Sequence, residues 1–315
     1  MATTLVWFER DLRLADHPAL YAACQDGAAV PVYIWAPDEH GEWAPGAASR
    51  WWLHHALDEL GQALEEAGSR LILREGPSLD ALLDLAETAE ADQVVWHERH
   101  EPALAARDAT IREALEEAGL GVLTLRARML HDPEAVQTTS KGPYHVFTPF
   151  WRKLQAELTV GDPVGVPDLA DAAPDGWPGR VPLDELGLDP GHAWTQGLAD
   201  AWEVREAAGL QVLSTFLDER VEAYPEDRDV PATQGTSRLS PYLAHGHVSP
   251  RQAWHAAQSR MEDPQTRESA QAFLRQLAWR EFAYHLLHHY PETTHEPLKE
   301  KFQAFPWRED PEHLE

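Results

Sequence analysis

Residues 3–35, "TTLVWFERDLRLADHPALYAACQDGAAVPVYIW", hold two unbroken apolar runs, "TTLVWF" (3–8) and "AVPVYIW" (29–35). Between them "DHPALYAACQDG" spaces its apolar residues by three and four. Continuous apolar runs, rather than alternating ones, predict strands buried on both faces, and the spacing between them predicts a helix. The pattern recurs. "RLILREG" (70–76), "DQVVWHE" (92–98) and "VLTLRA" (122–127) read as three further strands. "SRWWLHHALDELGQALEEAG", "SLDALLDLAETAE" and "PALAARDATIREALEEAG" read as the helices between them, with stops at Gly68 and Gly119. Such a β-α-β-α series predicts an α/β unit over residues 1–130, a doubly wound parallel sheet of five strands. No G-x-G-x-x-G follows the first strand, so the sheet by itself names no dinucleotide.

No apolar run approaches the roughly 18 residues of a membrane span, and "MATTLVWFERDLRL" has no signal-peptide features, so a cytoplasmic chain without a membrane partner is expected, and a monomer. The single cysteine, Cys24, rules out an internal disulfide framework and any Cys-rich metal site; it reads as a small buried hydrophobe on a helix. A formal net charge of -27 argues against indiscriminate coating of nucleic acid, which needs clustered Lys and Arg, and leaves room only for a local basic groove. Acids in stretches such as "DELGQALEEAG" read as solvated helix faces.

Residues 131–197 are rich in Pro, Gly and Asp, as in "GDPVGVPDLADAAPDGWPGRVPLDELGLDPG", and read as an interdomain linker laid over a surface. From 198 to 315 helical periodicity returns without strands, in "DAWEVREAAGLQVLSTFLDERVEAY", "SPRQAWHAAQSRM" and "ESAQAFLRQLAWREFAYHLLHHYP". The second domain is expected to be all-helical. Its entrance is "GTSRLSPYLAHGHVSPRQAW" (235–254), where Ser240 and Pro241 suit a helix cap and first position and Gly246 suits its end. Thr236, Ser237 and Ser240, with Arg238 beside them, read either as an ordinary capped turn or as a helix-start site for an anion such as a diphosphate.

"TSRLSPYLAHGHVSPRQ", preceded by Tyr224 and followed by "FLRQLAWREFAYHLLHHYP", resembles the flavin domain of DNA photolyases and cryptochromes. "LVWFERDLRLADHPAL" resembles that family's opening, and "PVYIWAPDEHGEWAPGAASRWWLHHAL" and "FQAFPW" look nearest to its cyclobutane-dimer photolyases. The resemblance implies FAD as cofactor, held by Tyr224, Thr236, Ser237, Arg238, Leu239, Ser240, Phe273 and Arg280. It also implies ultraviolet-damaged DNA as partner, met by Gln276 and Trp279, and an electron-transfer role for Trp307 at the outer end of a tryptophan chain. An antenna pigment, a folate or a deazaflavin, is expected on the N-terminal sheet, with Glu101 in the region some members use. Taken alone, Phe273 and Trp279 read as core aromatics at helical spacing.

Two departures follow. Dimer-specific members usually carry glutamate where this chain has Gln276, and glutamine is familiar in (6-4) photolyases and some cryptochromes, so a blue-light photosensor stands as the rival reading. The family also continues well past "FPWREDPEHLE", so the chain reads as a fragment whose strongest helix, "AFLRQLAWREFAYHLLHHYP", is expected to leave apolar residues uncovered. His285, His288 and His289 share a helix face at metal-ligand spacing without an accompanying carboxylate motif, and no metal is expected. His245 and His247 lie close to the turn.

Overall fold

A computed structural model describes residues 2–306. Five parallel strands, β1 (Ala2–Phe8), β2 (Gly27–Trp35), β3 (Ile72–Glu75), β4 (Gln93–His97) and β5 (Gly121–Leu125), form one sheet in the order β3-β2-β1-β4-β5. Between them run α1 (Pro18–Asp26), α2 (Ala47–Glu66), α3 (Ser78–Thr88) and α4 (Pro102–Glu117). Pro31, which lacks an N–H, pairs with Val6 of β1 just before the β2–β3 pairing begins at Val32 and Ile72, so it costs the ladder little.

Alternate strand residues go to opposite faces. Leu5, Trp7, Val32, Ile34 and Trp96 pack on one side with Leu82 and Leu85 of α3 and Ile111 and Leu115 of α4. Val6, Phe8, Tyr33, Trp35 and Val95 pack on the other with α1 and α2. This second face does not end at α2. Its core continues into Leu213, Phe216 and Leu217 of α7 (Glu206–Glu219), Ala253 of α10 (Pro250–Ser259) and Phe273 and Leu277 of α11 (Arg267–His289). Helix α2 is therefore sandwiched between sheet and helices, and the two halves share one apolar core. Each fully buried Leu or Phe in it stabilises the assembly by about 1.5–3 kcal/mol.

Residues 131–194 are not merely an exposed connector. They contain α5 (Phe147–Glu157), whose Phe147, Phe150 and Leu154 pack against Ala278 and Phe282 of α11. The spacing of Phe147, Phe150, Trp151 and Leu154 is helical, a signal masked by the Pro- and Gly-rich residues around it. Beyond α5 the chain returns along the first domain, where Ala29 N donates to Ala172 O (2.8 Å) and Val181 N to Leu73 O (3.0 Å). Helices α6 (Thr195–Ala201), α8 (Tyr224–Asp227) and α9 (Ser240–His245) complete the helical part. The apolar side of α11 is covered from within: Phe273, Leu274, Leu277, Ala278 and Phe282 are all buried, while Arg275, Gln276, Trp279 and Ala283 face outward. The expected bare apolar face is absent among the described residues, because α5, α7, α8 and α10 occupy it. No helix among them is long and apolar enough to cross a membrane.

The loop "ERDLRLADH" (9–17) joins the halves. Asp16, fully buried with φ 52, accepts from Val164 N on one oxygen (3.0 Å) and from the Ser249 hydroxyl on the other, and faces Arg251 Nε at 3.1 Å. Its carbonyl accepts from Arg13 Nη2 (2.7 Å), and Arg13 Nη1 donates to Gly246 O (2.9 Å). Leu14 N and Ala15 N donate to the Glu206 carboxylate at the start of α7. Gly246 is required here twice over: its φ is 78, and a Cβ would lie 2.3 Å from Arg10 O. Ser249 and Gln252 cap α10 reciprocally.

Two histidine clusters border this joint. His97 Nδ1 lies 2.6 Å from Asp11, and its Nε2 accepts from Ala19 N; His17 Nδ1 accepts from Leu20 N at the start of α1. Burial would raise the Asp11 carboxyl, but the two histidines hold it well below the usual carboxylate range. His247 Nε2 accepts from Trp52 Nε1 (3.0 Å), and His245 stacks on the Trp52 ring. Burial pushes His97 and His247 each down to about 4.

Removing the Asp16 carboxylate strands Arg251, the Ser249 hydroxyl and the Val164 N–H. Asp16→Ala is therefore expected to cost about 3–5 kcal/mol in urea unfolding and to separate the two halves into distinct transitions; an unchanged midpoint would refute the clamp. Acid gives a second check. Between pH 6.5 and 4 the unfolded chain protonates His97 and His247 while the folded one keeps them neutral, so stability falls as pH drops, by up to about 1.4 kcal/mol per unit for each histidine. A flat midpoint across that window would contradict the neutral burial of both.

Candidate functional site

Helix α8 begins at Tyr224, and the chain then loops back so closely that a Cβ on Gly235 would meet the Asp227 carbonyl carbon at 2.4 Å. That contact sets the following turn, residues 236–240, against α8. Leu239 points inward and is buried in the same core as Tyr224, Phe216 and Phe273. Phe273 lies 5.7 Å from the Tyr224 ring, edge-on, and 4.8 Å from Phe216. Burial pushes the Tyr224 hydroxyl pKa up. Tyr224, Leu239 and Phe273 thus form an apolar floor.

The other side of the turn is polar. Thr236, Arg238 and Ser240 are exposed and Ser237 is half-buried. Arg238 has φ 55, and Ser237 Oγ accepts from Leu239 N at 3.4 Å. Among the described residues, no protein acceptor takes the N–H of Thr236, Ser237 or Arg238. Consecutive free N–H groups in a tight turn form a concavity suited to phosphate oxygens. The expectation that Ser240 caps a helix is corrected: Ser240 is the first residue of α9, Leu239 holds the cap position, and no side chain caps it. The donor set is the turn itself. Arg238 lays its guanidinium 4.3 Å over the Trp202 ring, a cation–π contact that anchors it at the turn.

On α11, Phe273, Gln276 and Trp279 follow at intervals of three. Gln276 is exposed, and Trp279 keeps 44% of its surface open while stacking on Phe147 at 3.7 Å and 11°. Arg275 lies 5.5 Å over the same Phe147 ring. Arg280, expected at the cofactor, lies on the side of α11 toward residue 128. Its Nη1 donates to Arg128 O (2.7 Å) and faces Glu281 (3.1 Å), and it covers the Tyr284 ring at 4.7 Å. These contacts join α11 to the first domain. Trp307 lies outside the described residues. His245 and His247 belong to the interdomain joint rather than to the open face.

Three features escaped the reading of the sequence. Phe147 backs Trp279 from α5. Glu281, fully buried, accepts from Leu130 N (2.7 Å) and His131 Nδ1 (2.9 Å). The third was legible: residues 135–156 and 269–280 contain no Asp or Glu, and α5 and α11 bring these two acid-free stretches together. In a chain of net charge -27 these two stretches carry Arg152, Lys153 and Arg275, of which Lys153 pairs with Glu157 at the end of α5.

At the carboxyl ends of β1 and β2 a crevice lined by Arg10, Trp35, His40, Arg107 and His245 has a free volume of about 30 Å³. A pigment needs several hundred, so one would enter only if Arg10, His40 and their neighbours moved. Glu101 is not on its wall; Arg99 Nε donates to Glu101 at 3.2 Å.

Comparison with known proteins agrees with this architecture. The family model for DNA photolyase matches residues 4–170, and that for the FAD binding domain of DNA photolyase matches residues 273–315. The deoxyribodipyrimidine photo-lyase of Agrobacterium fabrum is 40% identical over 98% of this chain and 64% of its own length. Cryptochrome-2 of Arabidopsis thaliana is 31% identical over 98% of the chain and 52% of its own. The crystal structure of a bacterial class III photolyase from Agrobacterium tumefaciens superposes with a TM-score of 0.93 at 38% identity, covering all of this chain and 64% of that one. The chain therefore spans between about half and a little under two thirds of these relatives' lengths.

Proposed function

This chain belongs to the DNA photolyase family, and from that premise we propose that it serves light-dependent repair of cyclobutane pyrimidine dimers in DNA, with FAD as cofactor. On this reading the free N–H groups and hydroxyls of 236–240 take the FAD diphosphate, and Tyr224, Leu239 and Phe273 form the apolar support beneath. FAD held there would supply the light-driven electron-transfer chemistry. The protein's own residues bind and orient. Trp279 offers a stacking surface held flat by Phe147, and the Gln276 amide beside it offers one donor and one acceptor to base edges.

The observation that carries the reading is the exposed Trp279 and Gln276 on the acid-free α5–α11 face. An ordinary core tryptophan would be covered, and an ordinary exposed helix in this chain would carry acids. A damaged dinucleotide, already poorly stacked, is less costly to extrude onto such a platform than intact bases. A second reading, a cryptochrome-like photosensor or a (6-4) photolyase, is favoured by Gln276, which hydrogen-bonds but lacks the carboxylate of dimer-specific members.

Trp279→Ala is expected to weaken binding of a dimer-containing oligonucleotide about tenfold or more, since a base–aromatic stack contributes about 1–3 kcal/mol, and to leave intact DNA binding nearly unchanged. Equal affinity of the unsubstituted protein for damaged and intact DNA would favour the photosensor; preference for a (6-4) lesion would move the substrate class. For the cofactor, Arg238→Ala removes a charge-assisted contact of about 1.5–3 kcal/mol, so FAD retention, followed by visible absorbance, should fall about tenfold. Undiminished retention would move the diphosphate elsewhere.

A further inference from the structure

Two groups of side chains bring three metal-type donor atoms within 4.8 Å of one another: Asp11, His17 and His97, and Glu134, His288 and His289. Hydrogen bonding separates them. In the first, His17 Nδ1 accepts from Leu20 N (3.0 Å) and His97 Nε2 accepts from Ala19 N (3.2 Å). Each neutral ring then carries its one proton on the nitrogen facing Asp11, and a cation would have to displace both protons. That cluster is a hydrogen-bonded knot.

The second group is arranged the other way. His289 Nε2 donates to Pro133 O (3.1 Å), which leaves the lone pair on Nδ1. A backbone carbonyl holding the far N–H is the arrangement that fixes ring orientation in metal-bound histidines. His288 Nε2 lies 2.7 Å from Glu134 Oε1, so the two share a point that a cation can take over when the imidazole proton leaves. Both histidines occupy the last turn of α11, where unpaired helix carbonyls favour positive charge. Glu134 and His288 are exposed, so solvent can reach the point between them.

We propose that Glu134, His288 and His289 form a divalent transition-metal site of the zinc type, clipping residues 133–134 to the end of α11. Two imidazoles and one carboxylate suit zinc over magnesium or calcium, which prefer oxygen alone. The carboxylate missing from the helix itself arrives from a distant stretch of chain.

Calorimetric titration of the chelator-stripped 315-residue chain with zinc chloride at pH 7.5 tests this. One equivalent is expected to bind, with affinity lowered about tenfold or more in both His288→Ala and Glu134→Gln and unchanged in His192→Ala, an exposed histidine outside the group. Cobalt(II) should give visible absorption bands that the same two variants lose. Circular dichroism checks that the variants fold, which the exposure of both side chains favours. No binding at submillimolar zinc, or full affinity in both variants, overturns the site.

Discussion

One buried carboxylate ties this molecule together. Asp16 receives a backbone N–H of the returning segment, a hydroxyl and a guanidinium from α10, while its own carbonyl holds Arg13 against the α9–α10 turn. Desolvating a charge is costly, and only a full set of partners offsets it. Because the carboxylate's partners come from two distant stretches, residue 164 and residues 249–251, the same interaction that satisfies the charge sets how the helices sit on the sheet. Trp52, His247 and the Glu206 contacts then lie where an apolar core can run unbroken between the halves.

Charge is distributed as economically. Acidic side chains cover most helix faces, and the resulting field repels phosphate over most of the surface. The acid-free stretches of α5 and α11 interrupt it where Trp279 and Gln276 are exposed. On the proposed function, a local face of this kind would let a strongly acidic protein approach a nucleic acid in one orientation, which serves selection better than a uniformly basic surface would.

The 236–240 turn and α11 divide their labour by direction. Leu239 and Phe273 face inward and spend their area on packing, whereas the N–H groups of the turn and the Trp279 ring face outward with capacity unspent. Arg280 shows how one step along a helix changes a side chain's partners. It follows Trp279 directly, yet one residue is about 100° around a helix, enough to send its guanidinium to Arg128 and Glu281.

Local pattern alone determined the five strands, because strands buried on both faces must be continuously apolar, and it determined the helical character of the second half through spacing. The hydroxyl-rich turn was also legible, since glycine, hydroxyls and Ser-Pro steps act over a few residues. What lay beyond reach depended on chain segments meeting from far apart. Phe147 behind Trp279, Glu134 beside His288, Val164 on Asp16 and α5 covering α11 are pairings across more than a hundred residues, and no periodicity of either partner records the other. The same cause left the apolar face of α11 looking bare: a side chain's residue type is local, but the partner that uses it is chosen by packing.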